Sequence, residues 1–540
     1  MSTVFWVLSI VFAAYAGFKI YWAGTRATAI QTSTILLDLP KLAHPPRRPD
    51  QKIRGTAVIA GGSLGGFLTA RILAGHFEKV LIIEADPRLQ SSRVAQRLHG
   101  HYFPAIVLDT LRALFPSFDS EARKEGAIIG NGWNRWTIGG FQAGPPPAGW
   151  PERLNLSRLT LEALIRRLVI DYAQGSIHII QGTVIGVRIS SDGATIDAVS
   201  FRPSAETDPV QTLPAAFFAD CSGSSSISSK ILPAANQSWG PYPRYHYDPK
   251  VNYRTAIVHV PEPSRVALSR AVPILDPDWG RWDRFTFVEA FQPTPQSDNA
   301  YYGIQKVDGD RLLLIYFAWG IENLPENFSQ FVDAVRSVRE RTFRTNPSGK
   351  RQSDWIFEFL NVLGESINNI DDIKFSGYKV GACRWIDFES APIPSNFVPI
   401  GDARMYLNPA FGQGLSKILM EITVLNSTLL TLAPPSSPSI PSSLSVSFLK
   451  RAKQLTQSMY DLNRMLDYGY DTTDPQEGES LLLGEAFRNH WVKLLRLCEQ
   501  DGSVAKTLVG VFGGLAPGSD LNHPYISLRI RFSKWWSHRK

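Results

Sequence analysis

The sequence predicts an α/β fold: a parallel, helix-flanked sheet interrupted by an inserted antiparallel sheet, with a helical region after it and a transmembrane helix before it. Three observations carry this. Residues 56–86 read as strand, glycine turn, helix, strand and acid. Residues 396–416 repeat the order of strand, glycine turn and helix more than 300 residues later. Between them, residues 246–375 alternate apolar and polar in strand fashion, as in Val251–Val260 and Arg311–Phe317. At 540 residues, 44% of them hydrophobic, the chain can bury a large core.

In chain order, the first element is Val4–Phe18, a run of 15 residues without charge; Lys19 interrupts it and Ile20-Tyr21-Trp22 extends it. Nineteen helical residues span about 28 Å, close to a hydrocarbon core. Lys19 can snorkel, and Tyr21 and Trp22 suit an interfacial belt. No Lys or Arg precedes the segment, whereas Lys19, Arg26, Lys41, Arg47, Arg48, Lys52 and Arg54 follow it. The positive-inside rule then places the body in the cytosol, on an endoplasmic reticulum anchor formed by residues 1–23. Residues 24–52 form a linker rich in Pro and Arg. The competing reading is a cleaved signal peptide ending near Ala14-Tyr15-Ala16; the absent basic n-region favours the anchor.

Residues 53–245 begin the cofactor domain. Ala57–Ala60 is a short apolar strand, Gly61-Gly62-Ser63-Leu64-Gly65-Gly66 a turn, Phe67–Leu73 a helical apolar face, and Val80–Ile83 a buried strand closed by Glu84. A helix N-terminus presents free N–H groups and a positive dipole end, which suit a pyrophosphate. The glycines allow a tight turn and close approach of backbone to phosphate. Ser63 stands where the usual pattern has its second glycine; its small hydroxyl can donate to phosphate. Glu84 lies 23 residues after Gly61, where an acid accepts hydrogen bonds from a ribose. A carboxylate there repels a 2′-phosphate, so the site suits FAD or NAD rather than NADP.

The second motif narrows the dinucleotide to a flavin. Phe397–Ile400 runs into Gly401-Asp402; Pro409 follows, then Gly412-Gln413-Gly414 opening an apolar helix, Leu415–Leu425. Together the two motifs resemble those of FAD-dependent monooxygenases of the para-hydroxybenzoate hydroxylase type, including a branch with flavin halogenases and epoxidases of secondary metabolism. The resemblance implies that Asp402 contacts the ribityl–pyrophosphate part of FAD. It also implies that Gly412, Gln413, Gly414 and Leu415 aim N–H groups at the flavin pyrimidine edge, where negative charge builds on reduction. Arg404 stands where many members have His. Gln96-Arg97-Leu98-His99-Gly100-His101, running on to Leu114-Phe115-Pro116, resembles a loop and helix of the halogenase-like branch and places Arg97 at the cofactor. Ser157-Arg158-Leu159 is similar to the family's Arg-x-x-Leu segment, whose arginine reaches FAD. Ala219-Asp220-Cys221-Ser222-Gly223 resembles a turn that returns a third strand to the cofactor. The family's Asp-Gly motif for NADPH handling is modified here. The resemblance covers roughly residues 53–420.

The remaining segments complete the architecture. Residues 246–375 would roof the flavin, 376–433 return to the cofactor domain, and 434–445 form a Pro/Ser linker. Residues 446–540 read as helical in Val446–Met465 and Ser480–Leu497. They end in Arg529–Lys540, where bases interleave with aromatics in a way that suits an anionic membrane surface. Cys221, Cys383 and Cys498 lie too far apart in sequence for a disulfide framework. The net charge of +7 comes without a basic stripe or nucleic-acid motif, so no nucleic acid is expected. His99-x-His101 has no accompanying acid or Cys cluster, so no metal is expected. Trp133-Asn-Arg-Trp136 is not the WxWxIP segment of flavin halogenases, which lowers halogenation.

The resemblance implies an oxidoreductase: NADPH reduces the flavin, O2 adds to give a C4a-hydroperoxide, and one oxygen passes to a lipophilic small molecule such as a terpenoid, prenylated aromatic or polyketide, by hydroxylation or epoxidation. A flavin reductase or halogenase of the same fold is one alternative; a non-enzymatic, prenyl-binding escort-type protein is another, opposed by the intact Glu84 and Gly412-Gln413-Gly414. No catalytic acid or base is legible. Tyr253, Arg254, Tyr301 and Tyr302 of the roof are candidates.

Overall fold

The computed structural model describes residues 2–86, 95–130, 136–142, 150–204, 208–272, 282–283, 287–345 and 355–531. Five short apolar runs build a parallel sheet in the order Phe397–Pro399, Phe217–Asp220, Ile53–Ala60, Phe77–Glu84 and Ile177–Ile189; antiparallel strands Ile196–Pro203 and Gln211–Pro214 extend it. Ala57 pairs with Phe217 on one side and Val80 on the other. Helix Leu64–His76 packs against Arg158–Ala173 and Gly414–Leu432. All three carry buried Leu and Ile positions into the main core, whose burial supplies most of the folding drive.

A second seven-stranded sheet forms the roof, in the order Ser376–Lys379, Val251–His259, Arg311–Trp319, Ala300–Val307, Phe287–Gln292, Trp136–Ile138 and Phe141–Gln142. It reaches beyond residues 246–375 at both edges. Trp136–Ile138 pairs in parallel with Phe287–Gln292, and Ser376–Lys379 pairs with Val251–His259. The two central strands read almost continuously buried because both faces are covered. Tyr253, Tyr301, Phe317 and Trp319 face the cofactor domain beside Tyr406 and Phe411; Tyr302, Leu314 and Tyr316 pack on helices Phe328–Thr345 and Trp355–Ser366. A small third sheet joins Arg244–Tyr247, Cys383–Ile386 and Met405–Tyr406.

After residue 443 come helices Leu444–Asp467, Glu485–Gln500, Gly502–Phe512 and Pro524–Arg531; the last three share an apolar cluster of their own. Residues 532–540 of the basic-aromatic tail, and Trp133 with its neighbours up to residue 135, lie outside the described residues.

The N-terminal helix runs Ser2–Ser33, ten residues past the expected boundary at 23: nothing in 24–33 breaks it, its Thr and Ser hydroxyls donate to its own carbonyls, and the body pairs with Arg26. Arg26 makes a bifurcated contact with Asp520 (2.9 and 3.1 Å), Trp22 stacks edge-on against His523, and Arg451 donates to the carbonyls of Thr32 and Thr34. The expectation of a membrane-spanning helix at residues 4–22 gains no support here. By length and composition, the one candidate span among the described residues is Gly414–Leu432, and 67% of its apolar window is buried inside the protein. That helix is apolar because it crosses the core. The side chains of residues 1–14 lie outside the described ones.

Candidate functional site

The glycine turn is fixed by close packing. Gly61 has φ +102°, and a Cβ on it would lie 2.4 Å from the Cys221 carbonyl oxygen; a Cβ on Gly66 would lie 1.9 Å from the Gly61 carbonyl oxygen. Glu84 closes the neighbouring strand and accepts from the Gly62 N–H (2.5 Å) and the Asp86 N–H (2.8 Å). Its carboxylate therefore stands over the turn, where a ribose would meet it.

Ser63 caps no backbone group; its hydroxyl donates to Glu162 (3.0 Å). Glu162 is a residue that sequence reasoning missed. Its side chain is 1% exposed and accepts from Arg97 at 2.7 and 3.2 Å and from Arg158 at 3.4 Å; Arg158 also donates to Ser63 (3.3 Å). One buried carboxylate thus binds three of the residues expected at the cofactor. Burial pushes the Glu162 carboxyl up, but the Arg97 hydrogen bond and the two guanidinium charges outweigh it and hold it below its usual range. Burial lowers Arg158, opposed by Glu162 and then Asp402. Arg158 also helps depress His101, although burial is the main cause: His101 falls to about 3 and His99 to about 4, so both rings are neutral. His99 bonds Thr255 (2.9 Å) through Nδ1, and His101 bonds the His99 carbonyl (2.8 Å). Among the described residues no group of His, Cys, Asp or Glu could hold a metal.

The second motif forms a turn and a helix start. Lys417, fully buried, donates to Asp402 (2.8 Å) and to the Met405 carbonyl. Arg404, also buried, pairs with Glu421 (3.2 Å) and donates to Thr456; Glu421 accepts from the Gly401 N–H (2.6 Å). Arg404 is therefore a cation that ties the Gly401-Asp402 turn to two helices. Gly412 has φ +65° and sits against Tyr102, Gln413 accepts from Asn463 (2.8 Å), and Leu415 is buried. A Cβ on Gly414 would meet nothing within 4 Å, and the Ser416 hydroxyl beside it is buried without a hydrogen-bond partner. The open space and orphaned donor at a helix N-terminus fit the polar edge of a flavin.

Two of the roof candidates face this site and two do not. Tyr253 and Tyr301 face it; the Tyr253 hydroxyl is buried without a partner, and Tyr301 stacks on Phe317 (4.3 Å). Tyr302 donates to Glu289 (2.9 Å) on the far face, beside Arg339, and Arg254 lies 3.7 Å from Glu326.

Beside Phe411 and Gly412 lies a cavity of about 1210 Å3 of empty space, counting its open mouth. Tyr102, Arg153 and Phe411 line it at the Gly412 end, and Ile138, Phe141 and Trp319 on the roof side. Trp491, Leu495, Leu508 and Phe512 of the C-terminal helices form much of its remaining wall. Behind Trp319 a buried carboxylate, Asp467, accepts from the Trp319 indole (2.8 Å), Asn408 (2.9 Å) and Tyr247 (2.8 Å). Burial pushes Asp467 up to about 7 against these three hydrogen bonds.

No protein-family model and no curated protein matches the chain. Solved structures do match over nearly its whole length. A flavoprotein/dehydrogenase from Cytophaga hutchinsonii has 12% identity and a TM-score of 0.55, covering 89% of this chain and 100% of that one. A triple mutant of the flavin-dependent brominase Bmp2 has 13% identity and a TM-score of 0.52, covering 90% and 99%. PqsL, a probable FAD-dependent monooxygenase from Pseudomonas aeruginosa, has 15% identity and a TM-score of 0.50, covering 81% and 99%. The fold is that of FAD-dependent monooxygenases and halogenases of the para-hydroxybenzoate hydroxylase type.

Proposed function

We propose that the protein is a membrane-anchored, FAD-dependent monooxygenase that hydroxylates or epoxidises a lipophilic small molecule. The observation that carries this is an apolar, aromatic-lined cavity whose walls include Phe411 and the Tyr102 that packs on Gly412, beside the Gly412-Gln413-Gly414 helix start. Glu84 would accept the ribose hydroxyls, and the Gly61–Gly66 turn with Arg158 would hold the pyrophosphate. Asp402, oriented by Lys417, would meet the ribityl chain. Gly414, Leu415 and Ser416 would direct their donors to the pyrimidine edge. Bound FAD supplies the redox and oxygen chemistry, with NADPH as electron donor. The chain's own contribution is to orient the ligand and to exclude water with Trp319, Phe411 and Trp491.

Glu84→Ala is the direct test of the cofactor. It is expected to yield folded but colourless protein by visible absorption; full flavin occupancy in that variant would sink the assignment. Anchoring is tested separately. Deleting residues 1–24 should release much of the protein from membranes while its flavin spectrum persists, read by fractionation. A glycan at Asn155 or Asn426 would instead place the body in the lumen.

A further inference from the structure

We infer that the cavity takes a ligand with a bulky apolar body and a single oxygen function, oriented so that the oxygen lies at the flavin end, and that the C-terminal helices select the body. The inference rests on the proposed monooxygenase reading and names the class of ligand for that site.

Three features point to this polarity. Among the described residues, the only cation in the cavity lining is Arg153, and no carboxylate lines it. Arg153 donates to the Tyr102 hydroxyl (3.1 Å), and Tyr102 packs on Gly412, so the polar end is the flavin end. Away from that end, Tyr470 lies flat against Trp319 (4.4 Å, 14°), and Trp491 meets Phe512 (5.4 Å). Burial keeps two further lining groups neutral: Tyr470 is raised well above its usual value and Cys498 is raised to about 12. A cation on the ligand would be repelled by Arg153, whereas an oxygen acceptor or anion there would be charge-assisted. The apolar body would meet wide aromatic faces, which favour flat or fused-ring frameworks.

The selecting wall is separate from the cofactor cradle. Trp491, Leu495, Leu508 and Phe512 lie on helices Glu485–Gln500 and Gly502–Phe512, and no residue proposed to hold FAD belongs to either. These positions can therefore set which body fits without altering flavin binding.

The test uses full-length protein and three probes: pyrene, 1-hydroxypyrene and 1-pyrenemethylamine, with binding read by quenching of tryptophan emission. Expected is binding of 1-hydroxypyrene at least tenfold tighter than the cationic amine, with pyrene between them. Arg153→Gln should bring the three affinities within about threefold of one another. Leu508→Trp should fill the cavity and weaken all three at least tenfold, while the visible flavin spectrum stays unchanged. Equal affinity for the hydroxyl and amine probes, or undiminished binding in Leu508→Trp, overturns the inference. Failure of the flavin reading looks different: colourless wild-type protein that still shows the probe preference.

Discussion

Glu162→Ala is expected to cost several kcal/mol of stability and to abolish flavin retention together. The side chain is 1% exposed and holds Arg97, Arg158 and Ser63 at 2.7–3.4 Å. Its removal takes away the carboxylate shared by two guanidinium groups, themselves largely buried, that repel each other. Breaking a buried pair from one side typically costs about 3–5 kcal/mol, far more than the pair's net worth. The same network orients Ser63 at the glycine turn and Arg158 toward Asp402, so flavin binding should fall with it. Glu162→Gln keeps the shape and one acceptor oxygen and should lie between the two. Denaturant unfolding and visible absorption measure both effects; an alanine variant within about 1 kcal/mol of wild type that keeps its flavin would refute this account.

A second large effect concerns Asp467 and pH. Its folded-state pKa, about 7, lies above the usual carboxyl value of about 3.9. The protonated form is therefore favoured in the folded state. The associated stability is fully present below about pH 4 and is lost as pH rises through 7. The shift of about three units corresponds to at most about 4 kcal/mol. Asn cannot ionise, so Asp467→Asn should escape that loss, and its melting temperature relative to wild type should improve by several degrees between pH 5 and pH 8. His76, His99 and His101 work in the opposite sense. Burial lowers them to about 4, 4 and 3, so their stabilising contribution is complete above about pH 6.5 and is lost as pH falls. They are present in both proteins and cancel in the difference. A melting difference independent of pH would show that Asp467 does not titrate in this window.

Local patterns carried much of the architecture. The glycine turn with its downstream acid, and the Gly-Asp turn with its helix start, were legible because backbone geometry demands those residue types at those spacings. Glu162 was not legible: four residues after Arg158 on a helix, it has the spacing of an ordinary surface ion pair, and only the distant Arg97 shows that it is buried. Asp467 with Trp319 and Asn408 escaped for the same reason, since they come from segments 148 and 59 residues apart; Arg404 and Glu421, 17 residues apart, meet across a turn and a helix start at no regular spacing. The roof's extra edge strands were hidden because Trp136–Ile138 joins by parallel pairing across some 150 residues. Apolar composition alone also could not separate a spanning helix from a core helix. Gly414–Leu432 meets the criterion for a span because it runs through the protein interior.

The helix Gly502–Phe512 is a partition one helix thick. Ala505, Leu508 and Phe512 face the cavity, while Ser503, Val504 and Thr507 line the groove that also holds Trp22 and Arg26 of the N-terminal helix. Two bodies that press on opposite sides of one wall exchange free energy only through its movement. If a ligand in the cavity favours one position of that wall, it changes how firmly the N-terminal helix is held, and the N-terminal helix changes ligand affinity by the same factor. The surroundings of residues 2–33 and the contents of the cavity would then be linked variables, and truncation at the N-terminus would register as altered affinity at a site it never touches.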